Sequence, residues 1–90
     1  TSVALLGLDD TAMVAFINDA AIELFRDVNL NFGDDLNFAI PDLYVLIMET
    51  AETIPAPFMF AGKALTIRWH HLGSDAKTKG KIVTISPHET

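Results

Sequence analysis

The 90-residue chain contains no cysteine. That excludes disulfide staples, thiolate metal sites, a cysteine nucleophile and photochemistry through a cysteinyl adduct, and it leaves the redox compartment open. Long apolar runs are missing as well. Leu43–Met48 falls far short of the ~18 residues that cross a bilayer, so no membrane contact is expected. Thr1 opens the chain without a basic-then-apolar leader, and the expectation is a domain cut from a longer protein. Cations are scarce: six Lys and Arg face twelve Asp and Glu, for a net charge of −6. Such a surface opposes attraction to nucleic acid and anionic lipid.

The imbalance is uneven. Residues 1–52 set ten acids against Arg26 alone, a sum of −9, whereas residues 53–90 set five bases against Asp75 and Glu89, a sum of +3. Lys77, Lys79 and Lys81 belong to a polar stretch from Ser74 that reads as a solvated loop. Half of the residues are apolar and only 20% are charged, which is enough to build one core. At this length the chain, residues 1–90, is one domain.

Hydrophobic periodicity divides it. Val3–Leu8 and Met13–Ile17 are strand-like and flank the turn-forming Asp9-Asp10-Thr11, so a hairpin is predicted. Asn18 is placed to cap a helix over about 20–27, with Ala21, Leu24, Phe25 and Val28 on its inward stripe. Residues 29–37 read as irregular turns or a single helical turn anchored by Leu30, Phe32 and Leu36, with Asp34 and Asp35 exposed. Pro41 starts a second helix that runs to about Thr53, with Leu43, Leu46, Ile47 and Thr50 or Ala51 inward, until Pro55 and Pro57 end it. Phe58–Ala61 is extended and Gly62-Lys63 is a turn. Ala64–Leu72 alternates Leu65, Ile67, Trp69 and His71 against Thr66, Arg68 and His70, and Lys81–Ser86 is the last strand. Strands surround two mid-chain helices, which makes an α+β sheet.

No catalytic residue emerges. Asp9-Asp10 and Asp34-Asp35 are consecutive acids in turns, whose side chains diverge, and Ser74, Ser86 and Thr84 lack the strained Gly-x-Ser-x-Gly turn of a nucleophile. His70 and His71 point to opposite faces of a strand and His88 stands apart, so no metal site is expected. Tyr44 and Trp69 join apolar bodies to polar tips suited to a small-molecule pocket or to core packing. With Met48 and His71 they form the candidate ligand-binding set.

Residues 13–25 (MVAFINDAAIELF) resemble the hallmark of PAS sensory domains: a strand ending in Asn, then a helix reading Ala-Ala, two residues, Leu-Phe. Phe32-Gly33-Asp34-Asp35-Leu36 is similar to the turn after that helix, Lys63–His71 to the long penultimate strand, and residues 80–85 (GKIVTI) to the closing strand. The resemblance spans nearly the whole chain. It implies a five-stranded antiparallel sheet in the order 2-1-5-4-3, with short helices on one face, in a cytoplasmic signal-transduction protein. It also implies what is absent: a haem-binding member carries a His on the helix over Asp42–Thr53 and a covalent flavin sensor a Cys, and this chain has neither. No haem, metal or covalent flavin is therefore expected. Where many members end in Asp-Ile-Thr, this chain reads Ser86-Pro87-His88-Glu89-Thr90.

The expected function is a non-enzymatic sensor module that binds a small molecule or dimerises. It relays its state to an attached output domain, such as a histidine kinase of a two-component system. The partner expected at the outer sheet face is a second copy, because apolar residues occupy both faces of the first and last strands while the helices cover one. The rival is a cystatin-like α+β enzyme or ligand-binding domain with a cone-shaped cavity. Strand order separates the two, since the PAS arrangement puts the first strand centrally, beside the last.

Overall fold

Strand β1 (Ala4–Leu8) pairs with β2 (Val14–Ile17) across a turn that its own acid organises. Asp9 Oδ1 accepts the Thr11 and Met13 amides and the Thr11 hydroxyl, each at 2.9 Å, and the chain turns back through Ala12 at φ 65°. The computed structural model describes residues 3–73 and 80–88. Most of the polar loop expected between Gly73 and Gly80, including Lys77 and Lys79, lies outside the described residues.

Asn18 does more than start a helix. Its Oδ1 accepts the Ala21 amide in the first turn of α1 (Asp19–Leu24) at 3.0 Å and the Leu5 amide in β1 at 3.0 Å, while its Nδ2 donates to the Val3 carbonyl at 2.9 Å. One side chain thus satisfies an orphan helix amide and fastens the helix to the sheet. At Phe25 the backbone leaves helical geometry and tightens into a 3-10 turn over Arg26–Val28. That change of pitch rotates Val28 outward, where a continuous helix would bury it.

Leu30 and Leu36 are buried as anchors, but Phe32 is 73% exposed. The reason is pairing: the Gly33 amide donates to the Val14 carbonyl at 2.7 Å and the Val14 amide to the Asp34 carbonyl at 2.8 Å. The turn is laid along the free edge of β2, protecting it, and Phe32 is left outside. A helical turn, α2 (Leu36–Ala39), follows, capped by Asp35 Oδ1 on the Asn37 amide at 2.9 Å.

Helix α3 (Pro41–Glu49) buries Leu43 and Ile47 and stops four residues short of Thr53. Thr50 is extended (ψ 137°) because its carbonyl accepts the Trp69 indole N–H at 2.9 Å, and the Thr53 amide donates to the Trp69 carbonyl at 2.8 Å. A tertiary clasp, not Pro55, ends the helix. Strand β3 (Ala56–Phe60) begins earlier than Phe58 and contains Pro57. It is an edge strand, where a missing amide is tolerated. Ala61 and Gly62, at φ 50° and 78°, make the two-residue turn into β4 (Lys63–His71), one position before the expected Gly62-Lys63.

With β5 (Lys81–Pro87) the antiparallel sheet has the order β2-β1-β5-β4-β3. Its inner face brings Leu6, Leu8, Val14, Val83, Ile85, Leu65, Ile67 and Trp69 against Ala21, Phe25, Leu30, Leu36, Leu43 and Ile47. Phe25 and Phe60 meet edge to face at 4.9 Å, closing the layer beneath α1. Between α1 and the sheet an open hollow of about 140 Å³ remains, beside Ala4, Ala20, Leu24, Leu65 and Ile85. Among the described residues no helix is long and apolar enough to cross a membrane.

Candidate functional site

Tyr44 and Met48 lie one helical turn apart on α3 and reach the same cleft, about 110 Å³, whose other walls are Leu8, the turn Asp9–Ala12 and Lys81. The cleft is mixed in polarity. Asp9, with three donors on one oxygen, is held ionised: the Met13 amide first, then the Thr11 hydroxyl and amide, keep its carboxyl below the ordinary value. Lys81 closes the opposite side, its Nζ 5.0 Å from the centre of the Trp69 ring.

Trp69 and His71 lie beyond that lysine and do not line the cleft. Their rings stack at 5.2 Å and 27°. The indole N–H is engaged by Thr50, and Glu52 Oε2 accepts the His71 amide at 2.7 Å and stands 4.0 Å from His71 Nδ1. The candidate set is therefore brought to one end of the sheet but split by Lys81, with two residues at a cleft and two in a clasp. Lys81 and the Asp9–Thr11 wall are the site residues that periodicity did not single out.

Tyr44 and Lys81 contribute the polar side chains of the cleft that stand opposite the Asp9–Thr11 turn. At about 110 Å³ the cleft is well below the ~300 Å³ at which drug-sized pockets begin. Among the described residues no three His, Asp or Glu side chains converge on a point that could hold a metal ion.

The outer face of the sheet presents a different chemistry. Strand register places Phe16, Leu5, Ile82, Thr84, Ser86, Thr66, Arg68, His70, Pro57 and Met59 there. Among the described residues that face carries no acid, although the chain has twelve. Phe16 is 51% and Met59 65% exposed. At its margin His88 ties the end of the chain to β4, its amide donating to the Ala64 carbonyl at 2.9 Å and its Nδ1 lying 3.0 Å from the Thr66 hydroxyl.

The topology decides between the two fold readings. First and last strands are neighbours inside the sheet, with Ala4 opposite Ile85 and Leu8 opposite Lys81, which the cystatin-like alternative does not allow. Solved structures agree. A domain of an HTR-like protein from Haloarcula marismortui superposes with a TM-score of 0.73 at 8% identity, over 94% of this chain and 96% of its own. The PAS domain of histidine kinase ThkA gives 0.67 at 23% identity, over 94% and 98%. The fold is that of a PAS domain. The sensor region of a sensor histidine kinase also matches, with a TM-score of 0.72 at 15% identity over 93% of this chain, which spans 38% of that one. No family model and no curated protein matches the sequence. In this PAS fold residues 13–25 form β2, the Asn18 cap and α1, the segment whose pattern carries the resemblance.

Proposed function

We propose that the chain is a non-catalytic sensory module of a cytoplasmic signal-transduction protein, one PAS domain of a longer polypeptide, which relays its state to an attached output domain such as a histidine kinase. Support for the signalling role comes from the similar structures, among them a PAS domain of a histidine kinase and a sensor region. The relay runs through the outer sheet face, which pairs with a second copy. The observation that carries this reading is the acid-free, partly apolar face of an otherwise acidic protein. Two such faces can meet without carboxylate repulsion. The helical side, bearing Asp19, Glu23, Asp27, Asp42 and Glu49, would repel its own copy. Apolar patches of several hundred Å², as a rough scale, usually mark interfaces.

The small-molecule branch rests on the cleft at Tyr44 and Met48, with Trp69 and His71 coupled to it through Lys81. A ligand there would act on the turn that joins β1 to β2 and on the first residue of β5, the central strand of the sheet.

Sedimentation equilibrium over a dilution series, with native mass spectrometry for bound ligand, tests the proposal. A monomer–dimer equilibrium that Phe16→Ser weakens is the expected result. A strict monomer at high micromolar concentration would overturn the dimer.

A further inference from the structure

A second exposed apolar surface lies on the helical side, remote from the sheet face. Phe38 is 88% exposed, and with Val28, Ala39, Asp34 and Asp35 it bounds a groove of about 270 Å³. Its exposure follows from the local fold. Helix α2 is one turn long and buries Leu36, so a residue two positions on, about 200° round the axis, must face solvent. The opposite wall is Val28, rotated outward by the 3-10 turn. No structural requirement puts a phenylalanine at 38; any polar residue would serve the turn.

Charge restricts what can sit there. From Asp27 to Gly62 the chain has no Lys or Arg, and Arg26 is already paired with Glu23 at 2.8 Å. Asp34 and Asp35 form part of the groove itself, each using one carboxylate oxygen on a backbone amide, Asn31 in the loop at 2.8 Å and Asn37 in α2 at 2.9 Å. Asp27 adjoins Val28, and Asp42 follows Phe38 by four residues. The groove thus joins three apolar side chains to two acids.

We propose that this groove docks a cationic amphipathic segment of a partner polypeptide, one apolar side chain entering between Phe38 and Val28 while flanking lysines or arginines meet Asp34 and Asp35. A second copy in the same groove would set acid against acid. The proposal does not depend on the signalling role or on dimerisation through the sheet.

The test uses a short labelled peptide of leucines and lysines with leucine at helical spacing, and its glutamate-for-lysine counterpart, read by fluorescence anisotropy. The lysine peptide binds the wild-type chain and the glutamate peptide does not, and binding weakens at high salt. Phe38→Ser lowers affinity by about tenfold, the pair Asp27→Asn and Asp42→Asn lowers it less, and Phe16→Ser on the sheet face leaves it unchanged. Amide shifts in the wild-type protein concentrate at Val28, Phe38 and Ala39, a readout independent of how any variant folds. Equal binding of both peptides, equal loss in the Phe16 and Phe38 variants, or shifts centred elsewhere would overturn the proposal. So would a Phe38→Ser variant whose sedimentation differs from wild type, because the groove would then belong to a second copy.

Discussion

The two faces of strand β5 both carry β-branched apolar residues, and these have different fates. Val83 and Ile85 are buried against the helices, while Ile82, one step along the same strand, is only half-covered beside Gly7 and His70. Hydropathy alone cannot separate them. What separates them is which side the chain between β2 and β3 folds over, and that side received every helix. Apolar residues on the covered face hold the fold together; those on the open face, such as Phe16 and Met59, stay largely exposed.

Substitutions sharpen that contrast. Leu6→Ala, on the covered face of the interior strand β1, removes a fully buried side chain and should cost about 2–5 kcal/mol in chemical denaturation. A loss below about 1 kcal/mol would mean the layer is loosely packed. Asn18→Ala comes next, at about 2 kcal/mol, the upper part of the range for a helix cap, because the bonds to Leu5 in β1 and to Val3 just before it go with the cap. Asn18→Asp keeps the acceptor and loses the donor to Val3, so its thermal midpoint should fall between those of wild type and Asn18→Ala.

Asp9→Asn has a smaller effect confined to a pH window. The Asp9 carboxyl is depressed in the folded state, so its stabilisation is present above the unfolded value, about 3.9, and is lost as pH falls through the lower folded value. Melts of wild type and variant should differ at neutral pH and converge in acid. A constant difference across that range would show that the turn does not rely on the charge. Smallest is Met59→Ser on the open face, within about 0.5 kcal/mol of wild type in the dilute monomer. A larger destabilisation there would erase the distinction between the faces.

Much of this was legible from periodicity. Alternation in residues 65–69 and 82–85 assigned the buried side of β4 and β5 up to a choice of face, and Asn18 marked the start of α1. What could not be read were the places where a distant partner outweighs local preference. Thr50 leaves α3 for the Trp69 indole, nineteen residues away. Gly33 and Asp34 pair with Val14, and that pairing, invisible in the local sequence, puts Phe32 in solvent. At the cleft, Tyr44 and Met48 share a helix face that spacing reveals. The approach of Lys81 to Trp69 depends on the β4–β5 register, which sets His71 opposite Lys81.

Pairing of Ala4 with Ile85 places both described ends of the chain at the same end of one antiparallel ladder. That has a mechanical consequence. Tension between segments attached at Val3 and at His88 would not shear β1 against β5, which would load all their bonds together. It would peel the two strands apart from the Ala4 end, breaking bonds singly. The first restraints in its path are the Asn18 amide on the Val3 carbonyl and the His88 contacts with β4. A small pull at Val3 or His88 therefore falls first on the cap of α1 and on β4, and then on the β1–β5 pair inside the sheet.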